Sequence, residues 1–336
     1  MLDDAVELTL PDPDRSYKRV LLGQEVARPR LGPAFAYDGD SWRLRFPRPH
    51  ADRIEYLLEV DGSLRPDSTN PLRAPGPFGD KSVIEWPEYR TPAWLGSLAD
   101  EGALEQVELR CRRLGGSASA LLYRTPEPPG RDAPLLVVHD GPEYASYSRL
   151  TRFLDAMSWE ERVPPLWAVL LQPVDRNETY SASARYAAAL ALELLPAVAK
   201  RAPHGPRIGI GASLGALALL HAHGRYPDIF AGLLLQSGSF FRQRWDKVEA
   251  SFGRFGRITR FSGSVLRNLD GLRPLPVGFT CGTAEENLAN NHAIAGALAE
   301  QGFPVRFAEV RDAHNWTCWR DGFDPHLPDL IAEVAA

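Results

Sequence analysis

Cysteine is scarce in this chain: three in 336 residues, Cys111, Cys281 and Cys318, widely spaced and with no Cys-x-x-Cys pair. That spacing excludes a disulfide framework and a zinc site and leaves each thiol as a small core residue. Positive charge is not in excess either. With 38 Lys and Arg against 43 Asp and Glu, the net charge is -5 and the arginines are scattered among acids, so no nucleic-acid-binding face is expected. No apolar run approaches membrane-spanning length. Met1-Leu2-Asp3-Asp4-Ala5-Val6-Glu7 is acidic where a secretory leader is basic and then apolar, which predicts a cytoplasmic chain with no membrane partner. Internal repeats are absent. His139 and Asp140 have no third ligand at suitable spacing, so neither a metal nor a cofactor is expected.

What is present is an ordinary globular composition, 44% hydrophobic and 24% charged, long enough for two domains. Residues 1 to about 30 are charged and proline-punctuated, with Val20-Leu21-Leu22-Gly23 as the apolar cluster, and read as a segment that wraps or caps something else. From Phe35 short alternating runs appear, Ser41 to Phe46 and Ile54 to Val60, then an Asp61-Gly62 turn, a Pro- and Gly-rich loop over 66–79, and a strand over 82–86. Residues 1–95 therefore read as a β-sandwich (immunoglobulin-like) domain, with a linker at Pro92-Ala93-Trp94-Leu95-Gly96. Over 96–336 strands alternate with helices. Leu135-Leu136-Val137-Val138 is wholly apolar, as a strand covered on both faces must be. The expected fold is α/β, a doubly wound, mostly parallel sheet of α/β-hydrolase type.

That sheet is organised around Arg207-Ile208-Gly209-Ile210-Gly211-Ala212-Ser213-Leu214-Gly215, an apolar strand running into Gly-x-Ser-x-Gly and then an Ala/Leu-rich helix. In that setting the motif is a nucleophile elbow, and Ser213 is the candidate nucleophile. A serine alcohol needs a base, and the base an acid that fixes its tautomer. In this fold the chain order is serine, acid, histidine, each after a strand. His314, in a turn after the strand Val305 to Val310, is the candidate base, with His326 as the alternative if that strand is misplaced. The acid falls in Gly282-Thr283-Ala284-Glu285-Glu286-Asn287, with Glu285 first and Glu286 as the alternative. The oxyanion donors are the amide of Leu214 and one from the loop His139-Asp140-Gly141-Pro142-Glu143. Proline has no N–H, so that second donor is Gly141 or Glu143. Trp316, Trp319 and Arg320, just behind His314, are suited to stack on or clamp a planar, anionic ligand. Arg176, Asn177, Glu178 and Tyr180, together with Arg242 and Arg244, are candidates for lining the pocket.

The combined pattern resembles the enterochelin esterase family. The pieces that carry the resemblance are Gly211-Ala212-Ser213-Leu214-Gly215, Leu235-Gln236-Ser237-Gly238-Ser239-Phe240-Phe241, Asp140-Gly141 with Glu143 and Tyr144, Glu193-Leu194-Leu195-Pro196, and Asp312-Ala313-His314-Asn315-Trp316 with Trp319-Arg320. Glu55-Tyr56-Leu57-Leu58, Asn70-Pro71 and Phe78-Gly79 extend it into the N-terminal third. The resemblance implies a serine esterase that opens a catecholate trilactone so that iron is released inside the cell. It also implies Ser213, His314 and a carboxylate near Glu285 as the triad, and Trp316 and Arg320 near the catecholate. The partner expected is a small ester substrate, a ferric catecholate siderophore under this reading. Fold and triad do not fix substrate, so a broader carboxylesterase or an acyltransferase is the alternative within enzymes. Outside enzymes the alternative is a ligand-binding protein in which the β-sandwich does the binding.

Overall fold

A strand with no polar face needs cover on both sides, and Leu135–His139 has it: every residue of the strand is buried. It lies inside an eight-stranded sheet in a computed structural model that describes residues 5–26, 30–269 and 271–335. In chain order the strands are β1 (Ala103–Cys111), β2 (Gly116–Arg124), β3 (Leu135–His139), β4 (Trp167–Leu171), β5 (Arg207–Ala212), β6 (Gly232–Gln236), β7 (Val277–Gly282) and β8 (Val305–Val310). Their spatial order is β1-β2-β4-β3-β5-β6-β7-β8. The β1–β2 and β2–β4 pairs are antiparallel, and β4–β3, β3–β5, β5–β6 and β6–β7 are parallel. Backbone bonds from Val277 to Pro304 and from Thr283 to Val310 run β8 in the same direction as β7. The helix Leu214–Arg225 packs on β5 and β6, and His326–Ala335 packs on β6. Among the described residues, no helix is long and apolar enough to cross a membrane. The fold is the α/β-hydrolase arrangement expected, with an antiparallel β region before it.

The chain divides into two compact units. The larger comprises Thr91–Cys281, Asn287–Ala308 and Trp319–Ala336. The smaller comprises Met1–Arg90 together with Gly282–Glu286 and Glu309–Cys318, the loops that follow β7 and β8. In the smaller unit Ala5–Pro11, Ser41–Pro47 and Ala36–Tyr37 form one antiparallel sheet. Leu31–Ala34, Val20–Gln24, Arg53–Val60, Lys81–Glu85 and Arg73–Ala74 form the other, with Ser63–Arg65 also paired to Arg53–Val60. Val6, Leu8 and Leu44 from the first sheet share a core with Val20, Tyr56 and Leu58 from the second.

Two sequence expectations need correction. Residues 5–11 are not a wrapping segment but a strand, with Val6, Leu8 and Leu10 inward and Glu7 outward. The residues from Phe240 to Arg260 are not all loop, since a helix spans Phe255–Leu266. Its buried Ile258, Phe261, Ser262 and Val265 have helical spacing. Arg254, Arg257, Arg260 and Arg267 surround that stripe in the sequence and hid it.

Candidate active site

The glycines of the elbow are needed for a close approach. A Cβ on Gly211 would lie 2.8 Å from the carbonyl carbon of Gly215, where strand β5 and the following helix almost touch. The chain reverses at Ser213 itself, which adopts φ 56° and ψ -123°, a conformation costly for any residue with a side chain. Neighbours hold it there: the Ser213 amide donates to the Gln236 carbonyl at 2.9 Å, and the Ser239 amide donates to the Ser213 carbonyl at 3.1 Å. The Ser213 hydroxyl is 3.0 Å from that of Ser239. Leu214 is the first residue of the helix, so its N–H has no acceptor within the helix.

On the other side of β5, the loop after β3 is fixed with equal care. Asp140 has φ 51°, and Gly141 opens a short helix, Gly141–Ser146. A Cβ on Gly141 would sit 2.2 Å from the backbone of Leu170, which only glycine avoids. The carboxylate of Asp140 accepts two bonds from Arg176, both 2.8 Å long, in the bidentate geometry suited to guanidinium. His139, absent from the sequence expectations as a site residue, links this loop to the elbow. Its Nδ1 donates to the Gly215 carbonyl at 3.0 Å, and its Nε2 accepts from the Tyr186 hydroxyl at 2.7 Å. One donor and one acceptor require the neutral ring, and burial pushes its pKa down to about 4, so the ring stays neutral near pH 7. Its one sequence signal is its place, a polar residue ending a wholly apolar strand beside an Asp-Gly turn. Burial raises the pKa of the Glu143 carboxyl.

The loops after β7 and β8 bring acid and histidine together. Glu285 Oε2 lies 2.5 Å from His314 Nδ1, and Glu285 Oε1 accepts the Gly282 amide at 2.6 Å. The Glu285 side chain is fully buried. Glu286 turns elsewhere and meets Arg30 Nη2 at 2.9 Å near the surface. Asp312 Oδ1 accepts the Ala313 amide at 2.7 Å and the Asn315 side chain at 2.8 Å, bracketing His314. Asn315 in turn accepts the Cys318 amide at 2.8 Å and so caps the helix Trp316–Asp321. The alternative base His326 is at the opposite end of the sheet, in a small cavity lined by Pro276, Val277, Pro304 and Val305, where β7 and β8 begin.

The residues expected to touch substrate have different placements. Trp316 is half-buried. Trp319 is 5% exposed, its indole N–H donates to Ser237 Oγ at 3.0 Å, and its carbonyl accepts from Gln236 at 2.9 Å, a core residue's set of contacts. Arg320 pairs with Asp321 at 2.7 Å. Arg176, paired with Asp140, keeps 38% of its side chain exposed. Among the described residues no group of His, Cys, Asp and Glu has the placement to hold a metal ion. The three cysteines are buried and form no disulfide.

A strained serine at a strand-to-helix elbow, with a carboxylate–histidine pair on later loops of the same sheet, defines the class of α/β-hydrolases. The chain belongs to the esterase family described as “Putative esterase”, whose model matches residues 113–330, and it is a carboxylic ester hydrolase. It is 27% identical over 299 residues to the iron(III) enterobactin esterase of Escherichia coli O6:H1, covering 85% of this chain and 72% of that one. The iron(III) enterobactin esterase of Dickeya dadantii is 27% identical over 238 residues, 66% of this chain and 54% of that one. Among solved structures, a ferric enterobactin esterase from Salmonella typhimurium superimposes with a TM-score of 0.81 at 21% identity, covering 100% of this chain and 96% of that one. An enterobactin esterase from Shigella flexneri, solved in the presence of enterobactin, gives 0.79 at 21% identity, with 99% and 95% covered. The sequence resemblance to enterochelin esterases is thus borne out by relatives that match most of the chain.

Proposed function

We propose that this chain is a serine esterase that hydrolyses the ester bonds of a catecholate siderophore trilactone and thereby releases iron in the cytoplasm. The observation that carries the catalytic part is the 2.5 Å contact between Glu285 and His314, an acid and a histidine in the chain order that an elbow serine requires. Ser213 Oγ attacks the ester carbonyl while His314 Nε2 takes its proton. Glu285 holds Nδ1–H and stabilises the imidazolium as it forms. The amides of Leu214 and Gly141 face the oxyanion. His314 then returns the proton to the leaving alkoxide, and water attacks the acyl-serine by the reverse path. Trp316, Arg320 and Arg176 serve the anionic, aromatic substrate, and Trp319 supports them from the core. The siderophore part draws on the enterobactin esterases that this chain resembles.

Incubating the protein with a tri-catecholate trilactone, with and without ferric iron, and following products by chromatography and mass analysis tests this reading. The expected result is the linear trimer followed by shorter hydrolysis products. Cleavage of simple aryl esters with the trilactone untouched contradicts the siderophore assignment and favours a broader carboxylesterase.

A further inference from the structure

Both members of the carboxylate–histidine pair lie in the smaller unit, together with the N-terminal strands. Arg53, the first residue of the strand Arg53–Val60, is 3% exposed, which is rare for a guanidinium and demands partners. Its Nη1 is 2.9 Å from Glu55 Oε1 and 3.3 Å from Asp312 Oδ2. Its Nε is 3.6 Å from Glu85. Asp312 is the residue whose other oxygen takes the Ala313 amide and the Asn315 side chain. A single chain of bonds therefore runs from an N-terminal strand through Arg53 and Asp312 to both neighbours of His314. The backbone reinforces it, since the Asp52 amide donates to the Arg311 carbonyl at 2.8 Å and the Ala284 amide donates to the Asp312 carbonyl at 3.1 Å.

We propose that Arg53 is a positioning residue for catalysis: through Asp312 it fixes the loop of His314 so that the imidazole meets Glu285. The proposal rests on the triad reading above. It assigns a role to the N-terminal strands that no substrate contact is needed to explain. The charge balance fits. Burial pushes the Asp312 carboxyl up to about 7, and the Arg53 guanidinium opposes that rise and favours the ionised, acceptor-only form. Glu55 and Glu85 share the same cation, Lys81 lies 3.6 Å from Glu55, and Tyr89 also acts on Arg53. Lysine is a poor substitute, because a point charge cannot serve Glu55 and Asp312 in the fixed fork that guanidinium presents.

Arg53→Met and Arg53→Lys in the full chain test this, with aryl-ester kinetics measured well below each variant's unfolding temperature. Arg53→Met is expected to lower kcat by about tenfold or more with KM unchanged and to shift the acidic limb of the kcat/KM profile, which reports the base. Arg53→Lys is expected to fall between wild type and Arg53→Met. The low-field proton resonance of the His314–Glu285 bond is expected in the wild type and broadened or lost in Arg53→Met. Folded Arg53→Met with wild-type kcat, pH limb and resonance overturns the proposal. If Arg53→Met does not fold, folded Arg53→Lys with all three readouts at wild-type values overturns it instead. An active Ser213→Ala variant would sink the triad reading separately, and the resonance would still report whether Arg53 holds His314 against Glu285.

Discussion

Ser213→Ala is expected to lose ester hydrolysis by roughly 10³-fold or more in kcat while the protein stays folded. The loss is large because the hydroxyl is the only side-chain nucleophile the proposed mechanism uses. It is not expected to be complete, because the substitution leaves the proposed oxyanion donors, the amides of Leu214 and Gly141, in place. Folding should survive because the backbone at Ser213 is held by its neighbours, through Gln236 and Ser239, and the side chain gives up a single 3.0 Å contact with Ser239. Steady-state kinetics on an aryl ester and a thermal melt check both halves. Wild-type turnover by the variant would remove Ser213 from the mechanism.

Glu285→Gln is expected to lower kcat by roughly 10² to 10⁴, with the matching Glu286→Gln change leaving it within about twofold. An amide at 285 cannot balance the charge of the imidazolium. If its NH2 faces His314, it also selects the tautomer in which Nε2 carries the proton and cannot accept the one from Ser213. Glu286 differs by one position in sequence and by everything in environment: it shares a partly exposed ion pair with Arg30, a kind of contact worth little to stability. Parallel kinetics on the two variants decide between the carboxylates. Loss of activity from Glu286→Gln alone would mean that the wrong acid has been assigned.

The sequence made the catalytic half of the fold legible because its signals are local. The unbroken apolar run at Leu135–Val138 and the Gly-x-Ser-x-Gly elbow each carry their structural meaning within a few residues. The chain order of serine, acid and histidine then narrowed the first candidates for base and acid to two short loops. It did not separate Glu285 from Glu286, because which carboxylate turns inward depends on how the loop closes, with Glu285 Oε1 on the Gly282 amide. What stayed hidden is what depends on long-range partners. Val6, Leu8 and Leu10 alternate in a segment dense in charge and proline, and their strand exists because Ser41–Pro47 pairs with it. The stripe of Phe255–Leu266 is interrupted by arginines in the sequence but not in space. His139 looked like a stray metal ligand, yet its partners Gly215 and Tyr186 lie 76 and 47 residues away. Arg53 sits just before the alternating run Ile54 to Val60 and has no local signal of its own. Its partner Asp312 is 259 residues distant, and no local pattern announces such a pair.

The proposed mechanism makes Ser213 the acylated residue. Its most direct test is to treat the protein with a serine-directed fluorophosphonate and map the adduct by peptide mass spectrometry. One stoichiometric adduct on Ser213 is expected, formed more slowly in Glu285→Gln. An adduct on Ser239, whose hydroxyl is only 3.0 Å away, or no adduct under conditions where ester is hydrolysed, would contradict it.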